Sequence, residues 1–538
     1  MKQIRHHLIL LILCFTVSGL IRSVAQPAAP DDRVEVDPLQ LQKLQMAEVA
    51  IANLYVDSVD HAKLVEDAIT GMLSKLDPHS SYTSAKETKK LNEPLEGKFE
   101  GIGVQFNMLQ DTLVVIQTVK KGPSEKVGIL SGDRIVRVDT INIAGVKMSR
   151  DSIMSLLRGK KDTKVRLTIV RRGAVSPLEF TVTRDKIPLN TLDAAYMIAP
   201  KVGYIHLGSF GATSNDEVAK AIKDLKKQGM TKLIFDLQTN GGGYLGAATQ
   251  IASQFLQQGQ LVVYTEGRSQ RPERFTAQAG GQFTSGALAI LTNEYTASAA
   301  EIVSGAVQDH DRGMIIGRRT FGKGLVQRPL SLPDGSMIRL TTAHYYTPSG
   351  RCIQKPYVKG DRKDYDMDVV NRLNHGELTS IDSIHIHLDS TKVYKTDLGR
   401  TVYGGGGIMP DIFVPADTSR YTAFYTALSR QNIIREQSLR YIDQHRNQLR
   451  KKYATFADFN QHFEVPQALV DTVVSVGLKK GIKPKDDAEL QKTLPDLRFT
   501  LKSLFIVDLW DTSEYFQFYN QRDATVKRAL EWISRQPD

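Results

Sequence analysis

Apolar side chains recur at helical spacing near the start of the chain: Leu41, Leu44, Met46, Val49, Ile51 and Leu54, then Leu64, Ile69, Met72, Leu73 and Leu76. Steps of three recur among them, as on a helical face, and Asp77-Pro78 stops the run, because the residue before proline is pushed out of the α region. A helical hairpin is expected over 38–94. The period then changes. Val104-Gln105-Phe106, Leu113-Val114-Val115-Ile116 and Val165-Arg166-Leu167-Thr168-Ile169-Val170 are β-rich runs separated by tight turns. A short helix over 149–157 is ended by Arg158-Gly159, so 95–188 reads as one small β-module. Over 189–415 the two periods alternate: a strand at 202–207, a helix at 215–228, a buried strand at 233–237 ending in glycines, a helix at 245–256, a strand at 287–291, then a helix starting near Ser298. Buried strands joined by helices predict a crossover α/β core with a parallel or mixed sheet. Beyond 415 the pattern is helical again, at 423–453, 466–476, 497–505 and 515–532. The fold class is α+β, multidomain.

The first 25 residues stand apart. A basic start (Lys2, Arg5), an apolar run from Leu8 to Leu20, and Ser23-Val24-Ala25 before Gln26 have the three-part layout of a secretory signal cleaved near Ala25. The apolar run is short for a membrane span, which needs about 20 residues. An uncleaved signal anchor is the alternative, and it is the only membrane attachment the sequence offers. The net charge is +11 with Lys and Arg scattered rather than clustered with aromatics, which argues for solubility and against nucleic acid. Only Cys14 and Cys352 occur, so no internal disulfide is expected in the mature chain. The reading is an exported, periplasmic protein.

The candidate chemistry lies in the α/β region. Ser298 sits in Thr296-Ala297-Ser298-Ala299-Ala300-Glu301 where a strand hands over to a helix, followed by Lys323 between two glycines and by Gln327. A serine hydroxyl needs a base, and a lysine serves once burial disfavours its charged form. Gln327, four residues on, shares a face with Lys323 in helix or strand, so its amide could orient the amine. Gly241-Gly242-Gly243 ends the strand at 233–237, and such a turn can offer N–H groups to a developing oxyanion, with Ala299 supplying a second. Histidine competes for the base role. His310 would lie about 18 Å along the helix from Ser298 and more naturally caps its end; His344, in a strand-like run, stays open as a base. His385 and His387 share an expected strand face but lack a third ligand, so neither metal nor cofactor is expected. Glu301 reads as a helix-start carboxylate, with a catalytic role a minor alternative. In the β-module, Gly101-Ile102-Gly103-Val104 before a strand can take a peptide's terminal carboxylate while the strand edge accepts the peptide.

These motifs together resemble the carboxyl-terminal processing (tail-specific) serine proteases with an internal PDZ domain. The likeness runs over 39–415 and rests on Gly71-Met72-Leu73, Leu76-Asp77-Pro78-His79-Ser80-Ser81-Tyr82, the 101–104 loop, Gly122-Pro123-Ser124 through Gly132-Asp133-Arg134-Ile135, Asp236 to Gly243, and Gly404 to Gly407 with Ile408-Met409-Pro410-Asp411-Ile412. The resemblance implies a crotonase/ClpP-like β/α serine protease core at 189–415, a PDZ domain at 95–188 and a helical C-terminal extension at 416–538. It implies Ser298 as nucleophile, Lys323 as base, Gln327 as its positioning residue, and an oxyanion site on Ala299 with Gly242 or Gly243. Two departures stand in the glycine turn: Gln238 where the family usually has arginine, and Gly241 where it has proline. The partners implied are protein substrates with free C-termini; a homodimer through the helical ends and an adaptor that delivers substrate stay open. Two rivals compete with this reading: an inactive PDZ adaptor that presents tails to another protease, and a crotonase-like enzyme acting on thioesters.

Overall fold

The computed structural model describes residues 37–386 and 392–537. The expected signal at 1–25 and His387 lie outside them. Among the described residues no helix is long and apolar enough to cross a membrane.

The core sheet has six strands. Leu192–Ala199 pairs antiparallel with Val202–Leu207; Lys232–Asp236, Leu288–Thr292, Met314–Gly317 and Ile412–Phe413 then follow in parallel. The strands Val202–Leu207, Lys232–Asp236 and Leu288–Thr292 are buried at every position. Both faces of the sheet are therefore covered, which is why these strands read as continuous apolar runs. One face packs against the helices Ser214–Lys227, Leu245–Ala252 and Ala299–Asp309 through Ile222, Leu225, Ile251, Ile302 and Val303. The other face is covered from far along the chain: Val526, Ala529 and Ile533 of the helix Ala524–Ser534 pack on Tyr204, Ile234, Ala289 and Leu291. The last helices thus return to the core instead of extending from it.

A second sheet is organised around the long strand Met337–Tyr346, which pairs with Leu325–Ser331, with Leu261–Gly267, and with the short strand Ser81–Thr83. That short strand follows the Asp77-Pro78 stop and ties the N-terminal helices His61–Leu73 and Ala85–Glu96 to the protease core. The first helix, Pro38–Leu54, leaves Leu39, Leu41, Leu44, Met46 and Val49 exposed.

The PDZ sheet runs Val104–Leu109, Thr112–Thr118, Arg134–Val138, Lys164–Val170, Leu178–Thr183, with the helix Arg150–Leu157 against it. Its core is Leu113, Val115, Ile135, Ile153, Leu167 and Ile169. Lys98–Gly101 pairs with Asp185–Pro188, closing the entry and exit of the domain on each other. The remaining helices form a bundle with its own aromatic core of Phe424, Tyr453, Phe459, Phe463 and Phe505.

Some expected elements differ. The helix expected over 423–453 is two, Ala423–Arg430 and Ile433–Lys452, because Asn432 takes φ +59°, a left-handed value that asparagine tolerates. The one expected over 515–532 is also two, Thr512–Tyr519 and Ala524–Ser534, the second started by the Asp523 side chain accepting from Val526 N. His385 falls in the helix Ile381–Ile386, not on a strand.

Candidate active site

The site forms where two adjacent parallel strands, Lys232–Asp236 and Leu288–Thr292, release their chains. Their exit turns are stitched together. Asn240, fully buried, donates from Nδ2 to Leu207 O at 2.7 Å, while its carbonyl accepts from Ala297 N at 2.9 Å. Asn293 Oδ1 accepts from Thr239 N at 3.0 Å, and Thr296 Oγ1 donates to Leu237 O at 2.8 Å. Ser298 itself has φ +59° and ψ −117°, an unusual conformation for a residue with a side chain, immediately before the helix Ala299–Asp309.

Gly242 fits against this serine with no room to spare. Its φ is +96°, and a Cβ there would lie 2.8 Å from Ser298 Cβ and 2.9 Å from Ala299 N. Only glycine allows that approach. The two glycine amides of the turn are not equivalent. Gly242 N–H donates to Asn240 Oδ1 at 2.8 Å, so it is already engaged. Phe210 brackets Gly243 instead, its N–H donating to Gly242 O and its carbonyl accepting from Tyr244 N. Among the described residues neither Gly243 N–H nor Ala299 N–H is given to a protein acceptor.

Lys323 lies in the loop before the strand Leu325–Ser331, not in the strand itself, and a register shift separates Val326 from Gln327. The expected alternation of Lys323, Leu325 and Gln327 on one face is therefore interrupted. What fixes the lysine is Glu301, 0% exposed. Its Oε2 accepts from Ser298 N at 2.7 Å and from Lys323 N at 2.9 Å; its Oε1 accepts from Gly322 N at 2.7 Å and from the Thr320 hydroxyl. Burial pushes this carboxyl above its ordinary value, against the pull of those four donors. Tyr345 adds a second tie, its hydroxyl reaching the carbonyls of both Ser298 and Lys323. The Lys323 amine is held below the ordinary lysine value by burial, with Glu301 and Asp77 opposing and Arg339 assisting. Among the described residues no hydrogen bond joins it to the Ser298 hydroxyl.

Among the described residues Gln327 makes no hydrogen bond to the amine either. Its Nε2 donates to Leu325 O at 3.2 Å and to Thr341 Oγ1 at 3.3 Å, and Thr341 Oγ1 donates to Asp77 Oδ1 at 2.9 Å. Asp77 also accepts from His79 N, Ser80 N and Ser80 Oγ; burial opposes, but these bonds outweigh it and keep the carboxyl below its usual range. His79 packs close by, its Nε2 2.7 Å from Tyr365 Oη. Burial first, and the Lys323 charge second, push its imidazole down to about 3, so it is neutral at working pH. In the sequence Asp77 reads as the stop of a helical run and, with His79, as part of the motif Leu76 to Tyr82 that carries the family resemblance; that the strand after it brings both near the lysine is seen only in the fold.

The competing histidines are placed elsewhere. His310 ends the helix Ala299–Asp309, held by Asp397 Oδ2 at 2.7 Å and Leu261 O at 2.8 Å. His344 is exposed on Met337–Tyr346. No cluster of three metal-ligating side chains is found among the described residues.

In the PDZ domain, Gly103 takes φ +71° and Ile102 is 2% exposed. Ile102 O accepts from Ser124 N and Ser124 Oγ, which sets the loop rigidly beside the edge strand Val104–Leu109. A groove of about 450 Å³ opens there, lined by Ile102, Val104, Phe106, Met154 and Leu157.

Comparison with known proteins agrees with this layout. Residues 201–363 match the model of peptidase family S41, 101–182 a PDZ domain, 21–88 the N-terminal domain of the activating protease CtpB, and 424–511 a family of unknown function, DUF8443. The carboxy-terminal-processing protease of Bartonella bacilliformis is 38% identical over 56% of this chain and 69% of its own. The carboxy-terminal processing protease CtpA of Bacillus subtilis is 34% identical over 61% and 70%. Among solved structures, the photosystem II D1 C-terminal processing protease is 26% identical, with 71% of this chain and 94% of that one covered at a TM-score of 0.35. By this likeness the chain belongs to the carboxy-terminal processing proteases of peptidase family S41, and it is a serine protease carrying a PDZ domain.

Proposed function

We propose that Ser298 and Lys323 form the catalytic dyad of a protease that cuts exported proteins near their C-termini, with the PDZ groove holding the substrate tail. The observation that carries this is the common suspension of both residues from Glu301 and Tyr345 beside two unengaged amides. A substrate carbonyl at Ser298 would place its oxygen toward Ala299 N–H and Gly243 N–H. Neutral Lys323 takes the Ser298 proton as Oγ bonds to the carbonyl carbon, and the tetrahedral oxyanion is held by the two amides. Lys323 then gives that proton to the leaving amine, which departs and leaves an acyl-enzyme. Water attacks the ester, its proton going to Lys323 and on to Ser298 Oγ as the acid product leaves. The main chain of Lys323 is held by Glu301 and Tyr345, and its side chain is the part that engages Ser298 Oγ in this reading. Gln327, held through Thr341, is assigned the role of positioning the amine.

An inactive adaptor is not favoured: the relatives are named proteases, and serine and lysine both stand at the site. Export follows from the layout of residues 1–25, and the exposed apolar side chains of Pro38–Leu54 are the surface on which a homodimer would form. The deciding experiment incubates purified wild type, Ser298→Ala and Lys323→Ala with an unfolded protein bearing an apolar tail. Both variants should lose at least about a thousandfold in turnover while keeping the wild-type unfolding temperature. Undiminished cleavage by either would remove that residue from the dyad.

A further inference from the structure

The tail groove is not built by the PDZ domain alone. The C-terminal bundle docks on the same domain: Arg134 Nη2 meets Asp443 Oδ2 at 2.9 Å, Arg172 Nη1 donates to the carbonyls of Asp443 and Gln444 at 3.0 and 3.1 Å, and Leu439 packs on Leu109, Val114 and Ile116. This docking brings Arg435 of Ile433–Lys452, and Val507 and Asp508 of Asp487–Leu509, to the rim of the groove. Arg435 is exposed and donates from Nη2 to Asn107 Oδ1 at 2.9 Å, on the edge strand. Across from it, Arg150 starts the helix Arg150–Leu157 with its guanidinium over the Phe106 ring.

The edge strand fixes where these cations fall along a bound peptide. Val104–Leu109 pairs with a neighbour on one side only. A tail whose carboxylate sits at residues 101–104 and which adds to that edge runs past Phe106 and then Asn107 as it leaves, at about 3.3 Å per residue. Its last side chain enters the apolar pocket of Ile102, Met154 and Leu157. The residues two to five positions earlier pass Arg150 and Arg435. Arg158, the third arginine of the lining, is already paired with Glu93, and Asp508, the one acid, is buried; burial pushes its carboxyl up to about 6, with the charges of Arg446 and Arg435 opposing that shift. With Arg150 and Arg435 on the rim against the single buried acid Asp508, the balance of charge offered to the peptide is positive.

We propose that the C-terminal bundle forms one wall of the tail groove, and that Arg435 with Arg150 selects tails carrying an acidic residue two to five positions before an apolar C-terminal residue. This rests on the reading of the groove as a tail site. The test uses full-length Ser298→Ala protein, which binds without cutting, and fluorescein-labelled ten-residue peptides ending in leucine with Glu, Ala or Lys three positions earlier. Anisotropy should give a Kd about tenfold lower for Glu than for Lys, and Arg435→Gln in the same background should reduce that ratio to about twofold while dependence on the terminal leucine persists. Equal binding of the Glu and Lys peptides, or an unchanged ratio in Arg435→Gln, overturns the proposal and leaves the tail site standing. Failure to distinguish a free carboxylate from an amidated terminus would instead overturn the tail site, and the proposal with it.

Discussion

Ser298 and Lys323, 25 positions apart in sequence, donate their main-chain N–H groups to one oxygen of Glu301, at 2.7 and 2.9 Å. The carboxylate has no other evident task; it is fully buried and every lone-pair direction it offers meets a donor. Its role is to hold the serine turn and the lysine loop in register.

Glu301→Gln tests that role. An amide has one accepting oxygen where four donors converge, so either the Ser298 and Lys323 N–H groups or the Gly322 N–H and the Thr320 hydroxyl face an NH₂. Each buried donor left alone costs about 1–3 kcal/mol. The variant should unfold at a lower temperature and lose roughly ten- to a hundredfold in kcat, with KM for a peptide substrate little changed. Equal losses in an aspartate variant would point to geometry; full activity in the glutamine variant would rule out the clamp.

The pH profile follows from burial of Lys323. A lysine whose protonated form is disfavoured loses its proton at lower pH than in water, and the neutral amine is the base. Cleavage should therefore rise with pH and level off, with an inflection below the ordinary 10.5. His79, neutral above about 3, contributes no inflection near 6 to 7. Measuring kcat/KM from pH 5 to 10 checks both, and a rate still climbing in proportion to hydroxide at pH 10, with no inflection below it, would contradict a desolvated base.

The sequence displayed the parts of the site that have a local signature. The buried strands of the core are continuous apolar runs, and the glycines at 241–243 and on either side of Lys323 mark close backbone approach, here borne by Gly242 against Ser298 Cβ. What it hid depends on contacts between distant segments. Glu301 read as a helix-start carboxylate because Gly322 and Lys323 come near only through the fold. Ser81–Thr83 has too few residues to show a period, and its pairing with Met337–Tyr346 is what brings Asp77 to Thr341. The bulge after Val326 broke the alternation assumed for Gln327.

That indirect path gives Gln327 a partner that can be removed cleanly. Thr341→Val keeps the shape and deletes the hydroxyl that links Gln327 Nε2 to Asp77. The expected result is roughly a tenfold fall in kcat with about 1 kcal/mol or less lost in stability, because the strand Met337–Tyr346 keeps its pairings. Unchanged kcat would mean that Gln327 is positioned without this link, or that its position is immaterial.

The last prediction concerns the helix Ala524–Ser534, which lies beyond the family likeness yet closes the core. Val526, Ala529 and Ile533 are each 0% exposed and cover the sheet face formed by Tyr204, Ile234, Ala289 and Leu291. The same sheet carries the turns of Ser298 and the glycines at its strand ends, which are tied to one another by Asn240, Asn293 and Thr296. Ile533→Ala removes buried methylene volume and should cost about 2–5 kcal/mol, read as a lower urea midpoint with an unchanged slope. Because the strand ends are held by their own hydrogen bonds, kcat of the folded fraction should stay within about twofold. A chain ended after Asp511 should instead expose that apolar face and aggregate on expression. If the shortened protein were recovered folded with the wild-type midpoint, the covering role of the C-terminal helices would be wrong, since a fully buried parallel sheet does not tolerate one open face.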